Sequence, residues 1–425
     1  MSNALAIQGG ERTVPEGMIR GWPIIGDEDV AAVAESLRSG ITWGGNAPNV
    51  SALCREWAAY CGVKHCLAVN GGTAALHMAV AAAGVGPGDE VIVPAHTFFS
   101  TAPPVLHHNG IPVFVDIDGR TFNINPALIE EQITPRTKAI IAVHLYGLCA
   151  EMDAIRAIAD RRGLLVIEDA CQAHGAAYKG TRAGALGRMA AFSLNGSKNL
   201  PGGEGGLFVT DDEDLRDRAA LLEMTVHLEE RRRVYPVYSW GWNYRMPEMV
   251  AAFTRAQLGH LDERNAQRRE LAHHLTKRLS QLPGIIPPFE PEGYYHVYHM
   301  YRVRFDPQAA GVDATPRVFR DAVEKALQAE GLRIGQWVTS SLPAQALYQL
   351  MEGYGRGCPW TCPHGREVAY RAEDYPETER VLADSSVVAG VHPPNTTALM
   401  DLYADAFEKV WGNLSELDRE RNEQA

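Results

Sequence analysis

Short apolar runs, each closed by charge, proline or glycine, alternate with helix-period stretches between residues 67 and about 210. The runs fall at 67–70, 90–94, 111–118, 138–144, 164–167, 189–193 and 207–210 and are rich in Val, Ile, Leu, Ala and Phe. Runs of this kind read as strands buried on both faces of a parallel sheet. The alternation predicts an α/β fold, a three-layer α/β/α domain with a mostly parallel sheet. Before it, Val30, Val33, Ala34 and Leu37 recur at helical spacing over 26–40, and Gly40 follows as a stop. A second helical pattern covers 50–61, and one long helix is expected over 249–282. After Pro283 the composition shifts to shorter β-rich pieces, such as 298–305, and to helical patterns at 315–330 and 399–417. The expected organisation is an N-terminal arm (1–20), a large domain (21–265) and a smaller C-terminal α+β domain (266–425). Residues 215–235, including a basic cluster at 231–233, read as a solvated face.

The polar residues at the strand ends carry the chemistry. Ligands of open α/β sheets bind beyond the carboxyl ends of the strands. Glu168 and Asp169 close one run, and Lys198 follows another, just before the glycine-dense turn 202–206. A lysine amine can form a Schiff base with the aldehyde of pyridoxal 5'-phosphate (PLP). A carboxylate at the far end of that ring keeps the pyridine nitrogen protonated, so that the ring accepts electrons. The run 67–70 leads into Gly71-Gly72-Thr73-Ala74 and a helical pattern, a ready anion site of free N–H groups and helix dipole. The G-x-G-x-x-G spacing of a dinucleotide fold is missing there.

These elements resemble the DegT/DnrJ/EryC1/StrS family, the PLP-dependent sugar and cyclitol aminotransferases of fold-type I. The matching residues are Glu168-Asp169-Ala170-Cys171-Gln172-Ala173-His174-Gly175, then Phe192-Ser193, Lys198 and Gly203-Glu204-Gly205-Gly206. Cys171 stands where Ala is commoner. Further matches are 70–76, the run E-V-I-V-P followed by Thr97-Phe98, and G-x-N-x-R-M-x-E-x-x-A-A from Gly241 to Ala252. The resemblance spans 21 to about 417. It implies that Lys198 carries the cofactor and moves the proton, and that Asp169 pairs with the pyridine nitrogen. It places Gln172 near the ring hydroxyl and Phe98 on the ring face. Gly72, Thr73, Ala74 and Ser193 would cradle the phosphate. Asn243 would reach the phosphate of a neighbour's cofactor, which implies a homodimer, with Arg245 as a weaker candidate.

Composition narrows the alternatives. A net charge of −12 argues against a nucleic-acid partner, which needs a basic face. No apolar stretch approaches the ~20 residues of a membrane span, and no signal peptide is read, so a cytoplasmic location is expected. Seven cysteines fit a reducing compartment. Cys358 and Cys362 lack the second close pair of a structural zinc site, so no metal is expected. The loop from 342 to 376 is long and polar, as functional loops often are. Trp43, in the loop after the first helix, is a candidate pocket residue. The expected function is an aminotransferase that moves an amino group from glutamate or glutamine to the ketone of a keto-sugar or ketocyclitol. A nucleotide-linked keto-sugar is the alternative acceptor. A sugar dehydratase on this scaffold has His in place of the lysine, which Lys198 argues against. A DNA-binding regulator would need an added helix-turn-helix module.

Overall fold

A computed structural model describes residues 4–223, 227–229, 232–234 and 241–415. The seven apolar runs form one sheet: β1 (His65–Val69), β2 (Glu90–Pro94), β3 (Ile111–Val115), β4 (Thr137–Val143), β5 (Leu165–Asp169), β6 (Met189–Ser193) and β7 (Gly206–Thr210). Their spatial order is β1-β7-β6-β5-β4-β2-β3. Pairing is parallel from β3 through β2, β4 and β5 to β6. Only β7 runs against its neighbours β6 and β1. That reversal follows from the glycine turn, which brings the chain directly back after β6 instead of through a crossover helix. Helices on both faces cover the sheet, and two apolar clusters, one on each face, form the core.

A smaller four-stranded sheet, antiparallel throughout, is built from Ile285–Ile286, Tyr301–Phe305, Ile334–Gly335 and Ser385–Val388. A third apolar cluster lies there and includes Leu5 and Val14 from the start of the chain. The buried Glu330 carboxylate fastens that segment, accepting from Ala6 N (2.8 Å) and Thr13 N (3.0 Å).

Three sequence expectations are corrected. The long helix over 249–282 is two helices, Glu248–Leu258 and Leu261–Leu279, broken at Gly259-His260. The helix Asp27–Arg38 exists, but Val30 and Leu37 are 61% and 51% exposed while Asp29 and Ser36 are buried. Its inner face is set by polar partners: Asp29 accepts from Gln257 Nε2 at 2.7 Å and caps Gly26 N at 2.8 Å. The stretch 215–235 is not wholly solvated, because Leu215, Ala219 and Leu222 of helix Glu213–Glu223 are buried. The side chains at 231–233, Trp240 and residues 416–417 of the expected last helix lie outside the described residues.

The long C-terminal loop covers the free edge of β3. Tyr348, Trp360, Tyr370 and Tyr375 are buried, and the Tyr370 hydroxyl donates to Pro112 O at 2.9 Å. Arg366 donates to the buried Glu90 carboxylate at 2.6 Å. Covering an edge strand in this way blocks pairing with other chains. The Cys358 thiol faces Asn109 Oδ1 at 3.4 Å.

Candidate active site

The strand ends of β1, β5 and β6, with the loop after β2, enclose a cavity of about 360 Å³. Gly72, Thr73, Phe98, Asp169, Gln172, Ser193 and Lys198 line it. Ala74 and Asn243 do not. Ala74 is buried beside its own helix, so what it can offer is the N–H of the first turn. Asn243 is exposed at positive φ (60°), and its Oδ1 accepts from Arg245 Nε at 2.8 Å. The backbone around it is anchored to β1, where Asn70 N donates to Tyr244 O at 2.7 Å. Trp43 is 62% exposed and stands apart from the cavity, as does the loop 342–376.

The floor is the start of helix Gly72–Ala82. Its N-cap, Gly71, supplies no side chain to the free N–H groups, and the first helical bond is Ala75 N to Gly71 O at 3.1 Å. The helix start presses against the end of β6. A Cβ on Gly72 would lie 2.7 Å from Ser193 Cβ and 2.9 Å from Cys171 Sγ, so only glycine fits. Gly206 allows the matching approach on the other side, since a Cβ there would stand 2.3 Å from Gly71 O.

Asp169, the last residue of β5, is 6% exposed and held from two directions. Thr101 Oγ1 donates to Oδ2 at 2.8 Å, and Cys171 N donates to Oδ1 at 3.2 Å. Behind it, the buried Glu168 meets His144 Nε2 at 2.9 Å and accepts from the N–H groups of Gly184 and Leu186 at 2.7 and 2.8 Å. Of the adjacent carboxylates, one is thus spent on structure and the other faces the cavity. Gln172 is fixed by Tyr146 N, which donates to its Oε1 at 2.8 Å.

Lys198 stands on the turn between Ser193 and the glycine-dense segment. Burial lowers its ammonium pKa, an effect opposed by the negative field of Cys171, Asp169 and Glu204. The lowered value favours the neutral amine, the nucleophilic and basic form. Its carbonyl accepts from Trp22 Nε1 at 3.0 Å, so a residue far back in the chain fixes the turn. Phe98 packs against Trp337, with ring centroids 5.5 Å apart and planes 18° apart. Sequence reasoning missed Thr101, Tyr146, Trp22 and Trp337. Thr101 alone left a trace, as a second hydroxyl four residues after Thr97.

A PLP-sized group fits this arrangement. The uncapped helix start and the tight Gly72–Ser193 approach form an anion cradle, while Asp169 and Lys198 offer the opposite charge and the amine that a pyridine aldehyde requires. The volume is within the usual range of about 300–1,000 Å³ for small-molecule sites.

Comparison with known proteins agrees. The family model for the DegT/DnrJ/EryC1/StrS aminotransferase family matches residues 23–372. GDP-perosamine synthase of Caulobacter vibrioides is 44% identical over 279 residues, 65% of this chain and 73% of that protein. The crystal structure of S. venezuelae DesV in complex with a ketimine intermediate matches with a TM-score of 0.78 and 34% identity, over 90% of this chain and 94% of that one. That of 3-amino-5-hydroxybenzoic acid synthase matches with a TM-score of 0.79 and 30% identity, over 92% and 99%. Among the described residues no helix is long and apolar enough to cross a membrane. The chain belongs to the DegT/DnrJ/EryC1/StrS aminotransferase family and is an aminotransferase whose cofactor is pyridoxal 5'-phosphate.

Proposed function

We propose that this chain transfers the amino group of glutamate or glutamine to the ketone of a keto-sugar or ketocyclitol, in the synthesis of an amino sugar, aminocyclitol or related secondary metabolite. The observation that carries the reading is one cavity holding Lys198 and Asp169 above an uncapped helix start. Lys198 would hold the cofactor and, once released from it, move the proton between the two reacting carbon atoms. Asp169, held in place by its two donors, would hold a proton on the ring nitrogen. Gln172 would lie by the ring hydroxyl and Phe98 on the ring face. Thr73, Ala74 and Ser193 would bind the phosphate, with Gly72 leaving room for it. When bound, the cofactor supplies an electron sink for the carbanion left by proton removal.

Two features support a homodimer with shared sites. Asn243 is outside the cavity of its own chain, and it is exposed beside Trp242, which is 52% exposed. In an isologous dimer such a loop can complete the partner's site. The second acceptor class, a nucleotide-linked keto-sugar, is favoured by the 44% identity to GDP-perosamine synthase. The deciding experiment is a screen of amino acids, then of free and nucleotide-linked ketones, read by the absorbance of bound cofactor. No spectral change with glutamate or glutamine would refute the donor assignment. Turnover restricted to nucleotide-linked ketones would select the second acceptor class.

A further inference from the structure

A second cavity, of about 380 Å³, adjoins the Lys198 turn, and Ser197 belongs to the walls of both. Its walls include Arg20, Trp22, Arg268, His299, Arg333 and His392, and no carboxylate among the described residues. Arg268 is 3% exposed. Its guanidinium lies over the Trp22 ring, 4.4 Å from the centroid, and its Nε has no hydrogen-bond partner. The charged group that acts on it is another cation, Arg264, and burial together with that repulsion pulls its pKa down to about 9. His299 is 8% exposed. Its Nδ1 meets Asn199 Oδ1 at 3.3 Å and its Nε2 has no partner. Burial, aided by the nearby cationic groups Lys198 and Arg268, holds its imidazole well below the usual range.

Buried cations are normally paired, because an uncompensated charge in a low dielectric is costly. Here a buried guanidinium with a free Nε and a buried imidazole with a free Nε2 share one cavity wall that holds no carboxylate among the described residues. Arg20 and Arg333 are exposed and extend the positive field toward solvent. A guanidinium presents a planar fork of donors that matches carboxylate or phosphate oxygens.

We propose that this cavity is an oxyanion site, separate from the cofactor cavity, that takes a small carboxylate or phosphate ligand. An anion seated there supplies the missing counter-charge beside Lys198 and favours the protonated form of its amine, so occupancy tunes the neighbouring site. This goes beyond the transamination reading and does not depend on which ketone is the acceptor.

The test is calorimetric titration of the full-length, cofactor-loaded enzyme with inorganic phosphate and, separately, with glutarate, against chloride at matched ionic strength. Saturable binding of either is expected, and the stronger of the two identifies the ligand class. Arg268→Gln should weaken it about tenfold or more, as loss of a charged hydrogen bond does. Arg333→Gln, at an exposed position, should weaken it less. Heats no different from chloride with both anions would overturn the proposal. So would affinities unchanged in both variants, since binding would then lie elsewhere. Should Arg268→Gln not fold, Arg333→Gln decides alone: unchanged affinity refutes the site. Failure of the donor screen with intact anion binding would count against the transamination reading only.

Discussion

Gly72→Ala tests the floor of the cofactor cavity. The added Cβ would meet Ser193 Cβ at 2.7 Å and Cys171 Sγ at 2.9 Å. Carbon atoms settle at about 3.5–4.0 Å, so a gap of roughly 1 Å must open. Ser193 Cβ cannot swing away, and the Cys171 thiol can turn only by giving up its contact with Ala191 O at 3.7 Å. Ser193 Cβ is fixed to the end of β6, and Cys171 follows Asp169 with its N–H already committed to that carboxylate. The helix start must therefore retreat from the strand. Overpacking of this kind costs about 1–3 kcal/mol. The retreat also takes the free N–H groups off their aim, and a charge-assisted hydrogen bond contributes about 1.5–3 kcal/mol. Losing one lowers cofactor affinity about tenfold to a hundredfold.

Gly71→Ala is the matched control. Its backbone is extended (φ −177°), and a Cβ there meets nothing within 4 Å. PLP dissociation constants from absorbance titration and melting curves of the cofactor-free proteins give the two readouts. Gly72→Ala should lower both affinity and melting temperature, and Gly71→Ala should leave the melting temperature unchanged. Parental affinity and stability in Gly72→Ala would show that the close approach is not what shapes the cradle.

Asp169→Asn should fold, since its amide oxygen can still accept from Thr101, yet lose about 10²–10⁴ in turnover; near-normal kcat would remove the assigned role. Borohydride reduction of the PLP-bound enzyme should label Lys198 and not Lys179, which is exposed and paired with Asp153 at 2.6 Å; mass spectrometry of the labelled peptide decides. Mixing inactive Lys198→Ala and Asn243→Ala chains should restore part of the activity if the site is shared, and verified mixed dimers without recovery would argue against it. Acid should destabilise the fold through buried histidines. Burial lowers His77, His174 and His296 to about 3 and His392 to about 4. Between those values and 6.5 only the unfolded chain binds the proton, so their contribution is complete above pH 6.5 and is lost progressively as pH falls toward about 3 to 4. Denaturant midpoints that stay flat from pH 7.5 to 5 would refute this.

The sheet was legible because its signals are local. Each apolar run is a continuous stretch, and β2 and β6 begin and end where the pattern predicts. The reversal of β7 has no local signal beyond the glycine turn that causes it. The helix break at Gly259 was missed for the opposite reason. Apolar periodicity continues through it, and only the tertiary path separates the two helices. Burial of Asp29 beneath an exposed Val30 was equally hidden, because a buried carboxylate is set by Gln257, 228 residues away.

The same division runs through the candidate site. Residues delivered by strand ends, namely Asp169, Ser193 and Lys198, follow from the pattern. The residues that hold them do not. Thr101 fixes the carboxylate of Asp169 from 68 positions away, Tyr146 orients Gln172, and Trp22 secures the Lys198 carbonyl across 176 residues. None of these supports has a spacing that a periodic reading could detect, because each spans separate elements. Trp22 also carries the guanidinium of Arg268 on its ring face. One indole therefore joins the backbone of the lysine turn to the cationic cavity beside it. A substitution at Trp22 would remove a support from both at once.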